Sequence, residues 1–338
     1  MKILGIEFAP LSIPLERRIQ TFAVAQWFVM SLFMPFFCLT VLIYGFFTSY
    51  WSLSLAYVLW IYYDRNTQRT GGRPVKWLKE LKLWKYYRDY FPISLVKTAE
   101  LDPSKNYIFG YHPHGILVCS AFCNFCTTAT GFSKIFPGIK PTILTLVTNF
   151  YFPILRDYIL ALGVCDVSKE SLNYLLTKCG LGNAIVLVVG GSEEALEARP
   201  ESYTLTLKKR KGFIRVALET GSSLVPCFGF HENELFHQYP NPKGSKLRKF
   251  QECYKRLFHI SPPLYHGRGI FNYTFGMMPY RKPLTTVIGK PIDVVKETNP
   301  SKETVENLHA KYLESLNDLF EENKLNYGIH PDKHLVFD

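Results

Sequence analysis

Tyr107-Ile108-Phe109-Gly110-Tyr111-His112-Pro113-His114-Gly115 reads as an apolar strand that runs straight into two histidines, with a proline between them and a glycine after. The strand is predicted over Asn106–Tyr111 and is followed by an apolar helix. Pro113 fixes its own φ and restricts His112 to extended backbone, while Gly115 admits a close ligand or an unusual angle. Two imidazoles are thus held stiffly at a strand end. Imidazole titrates near neutral pH and can take a proton from an alcohol. The same pattern also suits two satisfied turn histidines, so the motif alone leaves both readings open.

Outward from this segment the chain alternates. Ala184–Val189, Ser223–Phe230 and Leu284–Ile288 are further apolar strand candidates. Between them, Ser168 is placed to cap a helix over Lys169–Cys179, and Leu207–Thr220 stops at Gly221. Ser301 begins a long helix whose apolar positions Val305, Leu308, Tyr312, Leu316 and Leu319 are spaced 3, 4, 4 and 3. Alternation of this kind predicts an α/β fold with a mainly parallel sheet flanked by helices. Sites in such folds gather where strands end.

A second strand end, Val188-Val189-Gly190-Gly191-Ser192-Glu193-Glu194-Ala195, presents carboxylates. One of them could orient a histidine and stabilise its imidazolium. These acids would equally suit a helix N-terminus, favoured by the dipole. The run Lys208-Lys209-Arg210-Lys211-Gly212-Phe213-Ile214-Arg215 suits phosphate groups or a solvated basic face. A zinc site would draw on His112, His114, Cys123 and Cys126, but no second ligand pair is spaced for it and no metal is expected. Neither a Gly-x-x-x-x-Gly-Lys loop nor a dinucleotide fingerprint occurs, so nucleotide hydrolysis and hydride transfer lack support.

The chain of 338 residues carries a net charge of +11 and is 47% hydrophobic, enough for a large core and a polyanionic partner. No Asp, Glu, Lys or Arg occurs from Ile19 to Tyr63. As one helix that stretch would be about 68 Å long, twice the ~30 Å of bilayer hydrocarbon. A membrane hairpin is expected, with helices near Phe22–Tyr44 and Trp51–Tyr63 and a bend at Gly45, Thr48 and Ser49; a re-entrant second arm suits its short length. Arg17 and Arg18 before it and Arg65, Arg69 and Arg73 after it place both ends on the cytosolic side. A nucleic-acid partner does not fit such an anchor. Trp77, Leu81 and Trp84 recur at helical spacing amid lysines, which suits either an interfacial helix or one packed on the domain. The apolar Thr142–Val164 contains Arg156 and Asp157 and is expected to be partly buried or monotopic, not a third span. The division expected is 1–18 cytosolic, 19–63 membrane hairpin, 64–99 basic and aromatic interfacial segment, and 100–338 α/β domain. Eight scattered cysteines suit a reducing cytosol.

With these segments in hand, the chain closely resembles the diacylglycerol acyltransferase 2 family over nearly its whole length. The landmarks, in order, are Gly71-Gly72-Arg73, Tyr90-Phe91-Pro92, Leu95-Val96-Lys97-Thr98, His112-Pro113-His114-Gly115 and Phe136-Pro137-Gly138. Gly190-Gly191-x-x-Glu194, Arg210-Lys211-Gly212-Phe213, Glu232-Asn233-Glu234 and Gly267-Arg268-Gly269 follow. Phe8-Ala9-Pro10-Leu11 and Arg17-Arg18-Ile19-Gln20-Thr21 look like its monoacylglycerol acyltransferase branch.

The resemblance implies a glycerolipid acyltransferase-like fold in the endoplasmic reticulum membrane, with the active site near the cytosolic leaflet. It implies acyl transfer from acyl-CoA to 2-monoacylglycerol, giving diacylglycerol and CoA. His114 would be the base, His112 would complete the motif, and Glu194 would be the orienting carboxylate. Arg210, Lys211 and Arg215 would meet the CoA phosphates. No cofactor is implied beyond acyl-CoA as co-substrate. The partners are acyl-CoA, monoacylglycerol and the lipid bilayer, and a homo-oligomer stays open. Diacylglycerol or a long-chain alcohol is the alternative acceptor, and a non-catalytic lipid-binding protein the alternative of another class. Related phosphate-using families carry an acid five positions after the histidine, where this chain has Leu117 and Cys119. Glu194 is preferred for that reason. His231 and Glu201 stand where the family usually has glycine.

Overall fold

The computed structural model describes residues 2–3, 5–10, 12–258 and 260–338; Leu11 of the opening landmark lies outside the described residues. Its centre is a seven-stranded sheet of β1 (Ile93–Lys97), β2 (Tyr107–His112), β3 (Lys140–Thr145), β4 (Cys165–Asp166), β5 (Asn183–Val188), β6 (Ser223–Phe230) and β7 (Leu284–Ile288). The spatial order is β1-β7-β6-β2-β5-β3-β4. All neighbours are parallel except β6 and β7, so the sheet is mainly parallel, as the alternation predicts.

Every residue of β2 is buried, and its side chains alternate between two layers. Ile108 packs on one face with Ile185, Leu224, Val287 and the helical residues Leu172, Phe213, Tyr312 and Leu316. Tyr107, Phe109 and Tyr111 pack on the other with Val186, Val225, Phe125, Phe132 and Phe136. His112 shares the parity of Ile108, so it points under the C-terminal helix.

The helices that concern the site are α1 (Leu15–Gly45), α2 (Trp51–Tyr63), α3 (Lys82–Tyr90), α4 (Leu155–Ala161), α5 (Lys169–Thr177), α6 (Gly191–Ala195), α7 (Gly212–Thr220) and α8 (Lys302–Asn323). Ser168 and Ser301 cap α5 and α8 through the amides of Ser171 and Thr304. The predicted Leu207–Thr220 helix begins only at Gly212, because the backbone of Leu207 and Lys208 is drawn off to bond the carbonyl of Asp338; it ends at Gly221 with φ +72°.

α1 is one continuous helix of 31 residues, long and apolar enough to cross a membrane. Pro35 lacks a backbone donor, and the turn before it, Val29–Phe33, widens to a π-helix that accommodates the missing bond. Its first half is docked: Ala23, Val24, Trp27 and Phe28 pack on Trp84, Tyr87 and Tyr90 of α3. Beyond Val29 many of its apolar side chains, among them Phe33, Phe36, Phe37 and Val41, are exposed while Pro35 and Cys38 are buried, and most of α2 after the bend is exposed.

Trp84 is buried, so of the two readings for Trp77–Tyr90 the packed one holds for α3. The expected single stripe is broken at Glu80 and Leu81, which leaves Trp77 exposed on its own short turn. Thr142–Val164 is not one apolar segment either. It divides into β3, a 3-10 turn at Val147–Tyr151 and α4, because Arg156 finds a buried partner. Its guanidinium is 2.8 Å from Asp64 just beyond α2, and Arg73 joins Asp64 to Asp157 at 2.7 and 2.9 Å.

Candidate active site

β2 and β5 are neighbours in register, Tyr111 opposite Val188, so their C-terminal ends are level. The His-Pro-His segment leaves one strand where the Gly190-Gly191 turn leaves the other. The His112–Pro113 peptide is cis. The level strand ends bring Glu194 on α6 beside His114. Its Oε2 accepts the His114 amide at 2.9 Å and its Oε1 accepts the Thr206 amide at 3.2 Å. Burial pushes this carboxyl up to about 7, although both amide donors pull against the shift.

The expected carboxylate–imidazole contact is therefore replaced by a carboxylate–amide one. The imidazole of His114 is fixed locally: Nδ1 lies 3.0 Å from the Gly115 carbonyl, which can only accept, so Nδ1 carries the proton. Nε2 is left with its lone pair. Burial lowers the His114 pKa, which favours the neutral ring. The arrangement has the protonation state that a general base needs.

His112 stands apart. It is fully buried, with Nε2 3.1 Å from the Tyr312 hydroxyl of α8, and burial holds its pKa down to about 3. Tyr312 donates its own proton to the Gly110 carbonyl at 3.2 Å, so His112 donates from Nε2 and its Nδ1 has no partner. Gly110 is where the ring tip of Tyr312 lies, and a side chain there would strike it. His112 therefore braces the strand end and does not face the space beside His114.

That space is a cavity of about 450 Å³. Its lining is apolar, with Trp27, Leu32, Pro35 and Phe36 of α1 on one side and Leu117, Ile143, Leu155 and Leu187 on the other, and His114 in its wall. Such a volume falls within the range of small-molecule sites, roughly 300–1,000 Å³.

Glu232 is the residue that sequence reasoning left as a mere landmark. Its buried carboxylate accepts the Cys119 amide at 2.5 Å, the Ser120 amide at 3.2 Å and the Ser120 hydroxyl, and burial pushes it up to about 7. It lies against Gly115, whose φ is +62°. Glu232 thus ties the turn after His114 to β6. Only the acidic Glu-Asn-Glu run signalled it. His231 before it and Glu201 take φ of +68° and +60°, left-handed backbone that glycine adopts without strain.

The three basic candidates do not converge. Arg210 lies 3.2 Å from Glu193 in a polar cleft with Lys209, Lys243 and Arg248. Lys211 is held by both oxygens of Glu306, and Arg215 is exposed on α7. Among the described residues no three His, Cys, Asp or Glu side chains converge as a metal site. Burial holds the Cys123 and Cys126 thiols up to about 12.

The diacylglycerol acyltransferase family profile matches residues 43–338. The chain is 48% identical over 332 residues to 2-acylglycerol O-acyltransferase 1 of Bos taurus, covering 98% of this chain and 99% of that one. It is 45% identical over 321 residues to diacylglycerol O-acyltransferase 2 of Danio rerio, covering 95% and 89%. The solved 1-acyl-sn-glycerophosphate acyltransferase PlsC of Thermotoga maritima superposes with a TM-score of 0.40 at 12% identity, over 91% of this chain and 95% of that one. Matched by the profile over most of its length and by relatives nearly end to end, the chain belongs to the diacylglycerol acyltransferase family and is an acyltransferase.

Proposed function

We propose that this acyltransferase moves a fatty acyl group from acyl-CoA to the free hydroxyl of 2-monoacylglycerol, with His114 as general base. The observation that carries the reading is the His114 imidazole, its Nδ1 turned to the Gly115 carbonyl so that Nε2 keeps its lone pair, in the wall of an apolar cavity of about 450 Å³. Nε2 takes the proton of the acceptor hydroxyl as its oxygen attacks the thioester carbonyl. The tetrahedral adduct collapses, the C–S bond breaks, and the imidazolium returns the proton to the CoA thiolate. A thioester is already activated, so no enzyme nucleophile is required, and holding two substrates in place supplies much of the rate.

Glu194 serves as a positioning residue through the His114 amide, and His112 as a brace for the strand end. Arg210 in its polar cleft is the best placed of the three basic candidates for the CoA phosphates. The name of the Bos taurus relative favours monoacylglycerol as acceptor, and that of the Danio rerio relative makes diacylglycerol the competing one.

Residues 19–63 lodge as a hairpin in the endoplasmic reticulum membrane, with both termini and the 100–338 domain on the cytosolic side. The exposed apolar side chains of α1 beyond Val29 and of α2 support this, as do the arginines at both ends. Microsomes holding the chain, given labelled acyl-CoA and one acceptor at a time, test the activity. Diacylglycerol formed from monoacylglycerol alone is the expected result. Triacylglycerol or wax ester would move the acceptor, and no product would remove the reading. Protease should reach tags at both termini of intact microsomes, and protection of one would break the hairpin.

A further inference from the structure

A second and larger concavity, about 1,100 Å³, lies on the other side of the first turns of α1 and shares no lining residue with the His114 cavity. Four arginines line it, Arg17 and Arg18 from α1 and Arg268 and Arg281 from the loop before β7, among Phe22, Ile270 and Phe271.

The walls are built rather than incidental. The amide of Ala9 donates to the Phe271 carbonyl at 2.9 Å, and that of Tyr273 to the Glu7 carbonyl at 2.8 Å, stitching the N-terminal segment to the loop. Within the loop, Asn272 Oδ1 accepts the amides of Thr274 and Phe275 at 3.2 and 2.8 Å. Arg268 is buried, with its guanidinium 4.7 Å from the Tyr273 ring centre and Nε donating to the Gly269 carbonyl. Arg281 donates to Gln20, to Thr21 and to the Arg17 carbonyl, and lies 4.0 Å over the Tyr90 ring.

All these partners are neutral. Among the described residues no carboxylate pairs with Arg268 or Arg281. Burial, with repulsion from Arg17 and Arg268 behind it, brings Arg281 down to about 10. Desolvated positive charge without a counter-charge is costly, so a site of this kind gains from an anion. Guanidinium groups match phosphate oxygens in pairs. The apolar rim, with Phe22, Ile270 and Phe271 exposed, suits an acyl chain.

We propose that this groove binds one anionic phospholipid of the surrounding bilayer, its phosphate between Arg268 and Arg281 and an acyl chain along Phe22 and Phe271. The proposal rests on the membrane placement of α1 and not on the role of His114. Charge complementarity and the level of the groove, at the foot of the apolar helix where lipid head groups lie, select this occupant.

The test uses full-length protein purified in mild detergent. It is given dioleoyl phosphatidic acid and dioleoyl phosphatidylcholine in equal amounts, and retained lipid is weighed by native mass spectrometry. One phosphatidic acid per chain is expected, preferred by about tenfold or more over phosphatidylcholine, with the preference lost in Arg268→Gln/Arg281→Gln and kept in Arg268→Lys/Arg281→Lys. A photoactivatable phosphatidic acid should label the wild type within residues 268–281 or on Phe22, which needs no variant. Absence of preference in the wild type, or labelling elsewhere only, would overturn the proposal. So would stoichiometric displacement by palmitoyl-CoA, which would assign the groove to the co-substrate. Acyl transfer measured on the same preparation reports on His114, so either reading can fail alone.

Discussion

The Glu194 carboxylate meets His114 at its backbone amide, 2.9 Å away, and leaves the imidazole to the carbonyl of Gly115. The acid therefore fixes where the ring stands, and the neighbouring peptide decides which nitrogen bears the proton. The two tasks that one aspartate performs in a hydrolase triad are divided here between a side chain and the main chain.

Removal of the imidazole is the sharpest consequence. His114→Ala, at unchanged expression, should lower kcat by at least the ~100-fold typical of general-base loss. Cys123→Ala should stay near the wild type, because its thiol remains protonated and makes no thiolate. Initial rates with saturating acceptor decide the comparison, and a dead cysteine variant beside an active histidine one would reverse the assignment.

The pH dependence of activity follows from the same ring. Burial lowers the His114 pKa, so the base stays unprotonated further into acid than a free imidazole. The acid limb of kcat/KM should have its midpoint below the ordinary value of about 6.5. A limb well above that value would point to a different titrating group.

Stability should move the opposite way with pH. Glu194 and Glu232 are raised to about 7 when folded, against about 4.3 for a free glutamate. Between those values the folded chain binds more protons than the unfolded one. The contribution is thus complete below about 4.3 and is lost as pH rises through about 7. Buried His112 and His114, whose pKa values are lowered, oppose this trend below about 6.5. Melting in detergent should therefore fall between about pH 6.5 and pH 8, and Glu232→Gln should flatten that decline.

Tyr312→Phe removes the oxygen that accepts from His112 Nε2 and the donor that reaches Gly110. Leaving a buried donor unpaired costs about 1–3 kcal/mol. A lowered melting temperature is expected, with a fall in kcat much smaller than that of His114→Ala. Equal losses in the two variants would mean that His112 takes part in the chemistry directly.

At the root of the helix pair, Asp64→Asn takes from the buried Arg156 guanidinium its nearest carboxylate and leaves it Asp157 at 3.3 Å. Breaking one partner of such a pair costs about 3–5 kcal/mol. Arg69→Ala, which removes a half-exposed partner of Asp166, should cost under about 1 kcal/mol. Thermal unfolding of both variants in the same detergent checks the difference.

Much of the sheet was legible because β2, β5 and β6 are buried on both faces and appear as uninterrupted apolar runs. Ser168 and Ser301 announced their helices through side chains that cap them. β3 and β4 were hidden, one inside a longer apolar stretch and the other only two residues long, so neither had a period to detect. Trp77 and Trp84 share a spacing but not a fate, since burial depends on what α1 brings to α3. Glu232 is 118 positions beyond His114 in the chain, and only the pairing of β2 with β6 closes that gap. Arg210, Lys211 and Arg215 looked like one patch because they are neighbours in sequence, yet Glu193 and Glu306 draw two of them apart.

The inner face of α1 between Trp27 and Phe36 forms one wall of the chamber that holds His114. With that helix lodged in the bilayer, oil lies on its far side and reactants on its near side. A glyceride would then slip in sideways from the leaflet, carrying its tail from one greasy medium to another without wetting it. Turnover would follow how crowded the leaflet is with glyceride, and would be blind to the trace dissolved in the surrounding water.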